Sequence, residues 1–153
     1  MLAMTHCDAS KLAKQHGKKA EYALCAAQWH KSLSYSDSYF GDGMQFDKDF
    51  TTEYGYAPPY QAAESAAALL VYKAAFERAN SFDKEKVRDA LAQTDMQTFY
   101  GNIKFNDAGQ NIAKPMVLFQ VRCEGDECSN RVVAPTKWAS HELVHPIPAW
   151  STR

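Results

Sequence analysis

The stretch 98-TFYGNIKFNDAGQNIAKPMVLFQV-121 decides how this chain is read. Gly101 to Phe105 and Met116 to Arg122 have the composition of β-strands, and a third strand follows over Asn130 to Ala134. Tyr100 and Gly101 form a turn ahead of the first strand. Everything before this stretch is mainly helical, so the chain is of the α/β or α+β class.

Working outward, the first residues read as the end of an apolar strand. The segment 8-DASKLAKQHG-17 has an aspartate start and a glycine stop, the marks of a short helix. Next, 20-AEYALCAAQW-29 is short and apolar enough for a buried strand, although its alanines also suit a helix. The segment 30-HKSLSYSDSYFGDG-43 is rich in Ser, Asp and Gly and reads as a loop. Met44, Phe46, Phe50 and Tyr54 fall at roughly helical spacing, and 55-GYAPPY-60 stops that helix. The longest helix runs from Tyr60 to about Asn80, with small residues in 62-AAESAAALL-70 that permit close packing. A further helix occupies 83-DKEKVRDALAQ-93, with Val87, Ala90 and Leu91 on its inner face.

At 153 residues, with 46% hydrophobic and 23% charged residues, the chain has the length and composition of one globular unit with a buried core. A formal charge of −1 gives no basic field to recruit nucleic acid or an anionic membrane. The longest apolar run, 66-AAALLVYKAAF-76, is broken by Lys73, and no segment reaches the length of a membrane span. The start, 1-MLAMTHCDASK-11, lacks the basic and apolar regions of a signal peptide.

Few motifs carry chemistry. The segment 141-HELVH-145 matches the zinc-protease signature, which needs both histidines on one face of a helix. Pro146 follows directly, with Pro135 and Pro148 on the flanks, so the expected state is an irregular surface tail and not a metal site. Cys123 and Cys128 flank an acidic turn between two β-rich runs. A cross-strand disulfide, free thiols and a metal site all remain open there. Cys7 and Cys25 read as small apolar residues in or near the core. Asp37 and Asp42 do not have the spacing of a calcium loop. His16 and His30 read as exposed polar positions. No phosphate loop, nucleophile elbow or cysteine–histidine pair supports catalysis, so the expectation is a non-enzymatic protein with no cofactor.

The run 98–121, followed by 132-VVAPTKWAS-140 and 144-VHPIPAW-150, resembles the carboxyl-terminal part of periplasmic solute-binding proteins of the branched-chain amino-acid ABC transporter type. The segments 20-AEYALCAAQW-29, 39-YFGDGMQFDKDFTTEYGYAPPYQAAESAAALL-70 and 83-DKEKVRDALAQTD-95 resemble that family's preceding elements in the same order. The resemblance implies an α/β architecture, a partial type I periplasmic-binding-protein fold containing pieces of both lobes. Residues 1–35 and 115–150 would be second-lobe-like and 60–110 first-lobe-like, with the family's amino-terminal half outside this sequence. Strands left as edges recruit another chain, so a homo-oligomer, most simply a dimer, is expected to complete the fold.

The same resemblance points to residues that bind a small polar solute such as an amino acid or a related carboxylate or amide. Tyr60 stands where the family places an aromatic residue beside the ligand; its structural use is packing on Pro58 or Pro59. Thr5 and His6 occupy the turn where amino-acid-binding relatives hold an acidic residue, and this turn has no acid. Gln28 and Trp29 lead towards the interlobe connection, where Trp29 either walls a cleft or seals a core. Tyr100 lies at a turn near the lobe interface. A periplasmic location, and an ABC permease as partner of a full-length protein, are also what the resemblance implies.

Overall fold

The computed structural model describes residues 3–5, 7–114 and 116–152. The chain divides into two compact units, one made of Met1–Gln28 with Met116–Arg153 and the other of Trp29–Pro115.

The first unit is built on strands β1 (Ala3–Thr5) and β2 (Leu24–Ala27), with helix α1 (Ala9–His16) between them in sequence. β1 and β2 are parallel, with Met4 opposite Cys25, as a strand–helix–strand crossover requires. Asp8 caps α1 by accepting hydrogen bonds from the amides of Ser10 and Lys11, at 2.9 and 3.1 Å. Two long strands complete the sheet, which we label β7 (Val117–Glu124) and β8 (Glu127–Ala134) because β3 to β6 lie in the second unit. The sheet order is β1-β2-β7-β8, and β7 is antiparallel to both its neighbours. Both strands run longer than the sequence predicts, β7 to Glu124 and β8 from Glu127. The turn at Gly125 and Asp126 is tight enough to let pairing continue to Glu124–Glu127. Gly125 supplies the positive φ of 64° that the first central residue of such a turn requires. Val117, Phe119, Val121 and Val132 are buried with Leu24, Cys25 and Ala27.

Two disulfides hold this sheet. Cys123 and Cys128 are direct cross-strand partners near the hairpin end, and their sulfurs are bonded. Cys7 and Cys25, read from sequence as independent apolar residues, are instead bonded to each other. The parallel β1–β2 pairing brings the end of β1 alongside β2, with a Cα separation of 5.6 Å at the two cysteines, a contact that a sequence separation of 18 does not announce.

The tail is anchored by Gln120, whose fully buried side chain accepts from the Val144 amide at 2.9 Å and donates to the Val144 carbonyl at 3.1 Å. Residues 141–145 therefore run as irregular chain beside the sheet, with His141 and His145 both exposed.

The second unit contains two short strands, β3 (Ser36–Asp37) and β4 (Gly41–Asp42), then helices α2 (Gly43–Tyr54), α3 (Tyr60–Ala79) and α4 (Lys84–Ala92), and the hairpin of β5 (Asp95–Thr98) and β6 (Gly101–Lys104). Two elements depart from the sequence expectation. The region 30–43 is not wholly loop, because the Asp37 carboxylate accepts from the amides of Tyr39 and Phe40 at 2.9 and 2.8 Å and folds it into the β3–β4 turn. β5 has little apolar alternation of its own; it is made a strand by pairing with β6.

The unit has two apolar centres. Ala75, Val87 and Ala90 join α3 to α4, with Ala79 and Leu91 packed alongside. Trp29, Phe40, Phe46 and Phe99 form an aromatic cluster, with ring centroids of Phe46 and Phe99 4.3 Å apart. The second carboxylate oxygen of Asp37 accepts from the Phe99 amide at 2.7 Å and ties this cluster to the β5–β6 turn.

Candidate functional site

α3 begins directly after Pro58 and Pro59, where the missing proline N–H groups cost the first helical turn nothing. Tyr60 opens the helix and Glu64 lies one turn on, on the same face. That face continues through Ala67, Ala68 and Val71 as one wall of an open groove of about 680 Å³. The opposite wall comes from Leu91 of α4 and from Tyr100, Ile103 and Phe105 of the β5–β6 hairpin.

Tyr100 sits in the two-residue turn between Thr98 and Gly101, which face each other across the hairpin. Thr98 Oγ1 donates to the Gly101 carbonyl at 2.9 Å and closes the turn. Tyr100 is only 6% exposed. The Lys114 ammonium lies over its ring, 3.9 Å from the centroid, in cation–π range.

Burial dominates the electrostatics of this corner. It raises the Tyr100 hydroxyl well above its ordinary value, and the charges of Glu64 and Tyr60 push the same way. It lowers Lys114 to about 8, against the opposing pull of Glu64. Tyr60, Glu64, Tyr100 and Lys114 thus form one electrostatically connected group, of which Glu64 and Tyr100 line the groove.

Of the residues picked out from sequence, Tyr60 and Tyr100 are brought together here. Trp29 is not a cleft wall: it is 4% exposed, it packs edge-on to Phe46 and Phe99, and its indole N–H donates to the Phe99 carbonyl at 3.4 Å. Thr5 is exposed on β1 and Gln28 is half-buried at the end of its segment, both in the first unit. His6 lies outside the described residues. Glu64 and Lys114 were not picked out. Helical spacing from Tyr60 could have flagged Glu64; nothing local to Lys114 marks it.

Among the described residues no cluster of three or more His, Cys, Asp or Glu side chains could hold a metal ion. Asp42 is occupied as the cap of α2, accepting from the Gln45 amide at 2.9 Å.

A parallel-start sheet unit and a helical unit with an aromatic-lined groove define a mixed α/β protein of the type I periplasmic-binding-protein fold. The profile of the periplasmic binding protein family matches residues 1–127, and the chain belongs to that family. A leucine-binding protein from Thermotoga maritima superposes with a TM-score of 0.66 at 24% identity, covering 88% of this chain and 37% of that one. A protein described as a branched-chain amino acid ABC transporter from Rhodospirillum rubrum gives 0.62 at 27% identity, over 86% of this chain and 36% of that one. A Silicibacter pomeroyi protein of the same description gives 0.72 at 18% identity, over 97% and 40%. The chain therefore spans well under half the length of these relatives.

Proposed function

We propose that this chain is the carboxyl-terminal part of a solute-binding protein serving an ABC transporter of the branched-chain amino-acid type. In this reading the Met1–Gln28 and Met116–Arg153 unit is second-lobe-like, and the Trp29–Pro115 unit is first-lobe-like. The solute is a small polar molecule with an apolar body, an amino acid or a related carboxylate or amide. The match of residues 1–127 to the family profile carries the reading. Tyr100 supports it, because it sets aromatic surface on a groove that is more apolar than polar, with Tyr60 close enough to act on its hydroxyl. The role is binding and not catalysis, and the partner of the full-length protein is an ABC permease. Two disulfides fit an oxidising, extracytoplasmic compartment. Among the described residues no helix is long and apolar enough to cross a membrane.

Thermal unfolding with a panel of amino acids, their amides and aromatic carboxylates tests this. A binder present at about 100 times its Kd raises stability by roughly 2.7 kcal/mol, and Tyr60→Ala should abolish most of the rise. No response to any member of the panel overturns the assignment.

A second reading, a self-associating protein without a ligand, is favoured by the apolar surface of the second unit. Phe82 is 89% exposed and Leu69 69% exposed, with Tyr72 and Phe76 stacked between them in sequence. Surface of that kind buries itself against another chain. Light scattering across a concentration series distinguishes a dimer from a monomer.

A further inference from the structure

The groove between α3, α4 and the β5–β6 hairpin holds about 680 Å³, within the roughly 300–1,000 Å³ of small-molecule sites. All of its lining residues belong to the Trp29–Pro115 unit. Val71, Leu91 and Ile103 give it apolar surface, and Tyr72 and Phe105 add aromatic rings. Its charged and amide side chains are Glu64, Arg88, Asn106, Asp107 and Asn111.

The donors among these are engaged within the protein. The Arg88 guanidinium donates to Glu85, and to Asp89 at 2.6 and 3.0 Å. The Asn106 side-chain amide donates to Gln110 at 3.1 Å, and that of Asn111 to the Asn102 carbonyl at 3.4 Å. The two asparagine oxygens accept from backbone amides and shape the loop that follows the hairpin. The carboxylates are in a different state: among the described residues neither Glu64 nor Asp107 has a hydrogen bond or an ion pair. Lys114, over the Tyr100 ring, offsets part of the Glu64 charge. Taking Lys114 and Arg88 together with Glu64, Asp107, Glu85 and Asp89, the surroundings remain net negative. An anionic ligand would therefore meet two unpaired carboxylates and no uncommitted guanidinium or side-chain amide. A cation would be attracted by both acids and by the aromatic faces.

We propose that this groove takes an organic cation: an amine with an aromatic or branched aliphatic body and no carboxylate. Its ammonium is drawn to Glu64 and Asp107, and its body lies against Val71, Leu91 and Ile103. The inference does not rest on the solute-binding proposal, which follows from family membership, whereas this one follows from the charge of the groove.

Three probes of similar shape separate charge from apolar contact: phenethylammonium, 2-phenylethanol and 3-phenylpropionate. Amide chemical shifts of the whole isotope-labelled chain, titrated at neutral pH and low salt, read each Kd. Phenethylammonium should bind roughly fivefold or more tighter than 3-phenylpropionate, with the alcohol between them. Added salt should narrow that gap, because both acids are exposed. The double variant Glu64→Gln/Asp107→Asn should bring the ammonium to the affinity of the alcohol, while the Kd of the alcohol itself holds. Equal or tighter binding of the propionate would overturn the proposal. So would an absence of shifts at Val71, Leu91 and Ile103 with every probe, or a preference that survives the double substitution. Ammonium binding without any response to the amino-acid panel would leave this inference standing and remove the solute-binding one; a panel response without ammonium binding would do the reverse.

Discussion

The Lys114 ammonium nitrogen stands 3.9 Å from the ring centroid of Tyr100, and burial shifts the two groups in opposite directions. Both shifts favour the neutral form, and together they predict a stability maximum. Lys114 titrates at about 8 in the folded chain against an ordinary 10.5, so between those values the unfolded chain holds more protons and stability rises with pH. Tyr100 is raised above its ordinary 10.0, so beyond that pH the unfolded chain loses a proton that the folded chain keeps, and stability falls. Glu64 acts on both groups and Tyr60 on Tyr100. Urea midpoints should climb from pH 8 towards 10 and then decline. Lys114→Met should flatten the climb and Tyr100→Phe the decline; a climb that persists in Lys114→Met assigns it to another group.

Gly101 makes that stacking feasible. Its φ is +145°, a region that side chains rarely adopt, and a Cβ there would overlap the Lys114 stem. Gly101→Ala should therefore cost about 1–3 kcal/mol from backbone strain. It should also displace Lys114 from the ring and return its titration towards the ordinary lysine range, as read by NMR. A variant of wild-type stability and unchanged Lys114 titration would contradict the geometry.

The two disulfides should differ in what they contribute. Cys7 and Cys25 close a loop of sequence separation 18, Cys123 and Cys128 one of only 5. The chain-entropy relation gives about 3 kcal/mol for the longer loop and about 2 kcal/mol for the shorter. Paired serine substitutions, compared by urea unfolding, should show the larger loss for Cys7/Cys25. A reversed order would mean that strain or residual structure, not loop length, governs both.

What could be read in advance follows from where each element gets its stability. Helices α1 and α4 announce themselves because their caps Asp8 and Asp83 are local, each accepting from amides two and three residues on, whereas α2 is legible from the spacing of Met44, Phe46, Phe50 and Tyr54 and not from its cap Asp42. α3 is legible from its length and its proline start. β5 is not, because 95-DMQT-98 is a strand only against β6. The Cys7–Cys25 bond depends on a parallel pairing that no local signal encodes. The site divides the same way: Tyr60 stands at a recognisable helix start, whereas Lys114 gains its environment from Tyr100 and Gly101, 14 and 13 residues earlier in the sequence.

The HELVH segment supplies the remaining prediction. Its histidines are exposed on irregular chain; backbone hydrogen bonds from Ser140 and His141 to the Val132 carbonyl hold its start, and the pair between the buried Gln120 amide and the Val144 backbone holds the rest. Gln120→Leu keeps the bulk but leaves the Val144 N–H and carbonyl without these partners, at a cost of about 1–3 kcal/mol if they stay buried. Residues 142–145 should then detach, seen as faster amide exchange or proteolysis there, with the sheet and the Ser140 and His141 bonds to Val132 still protected. Zinc should raise the melting temperature of neither the wild type nor His141→Ala, since the two imidazoles do not share a helical face. A zinc-dependent rise that His141→Ala removes would show that the segment can rearrange into a metal site, and that the Gln120 anchor is weaker than its geometry indicates.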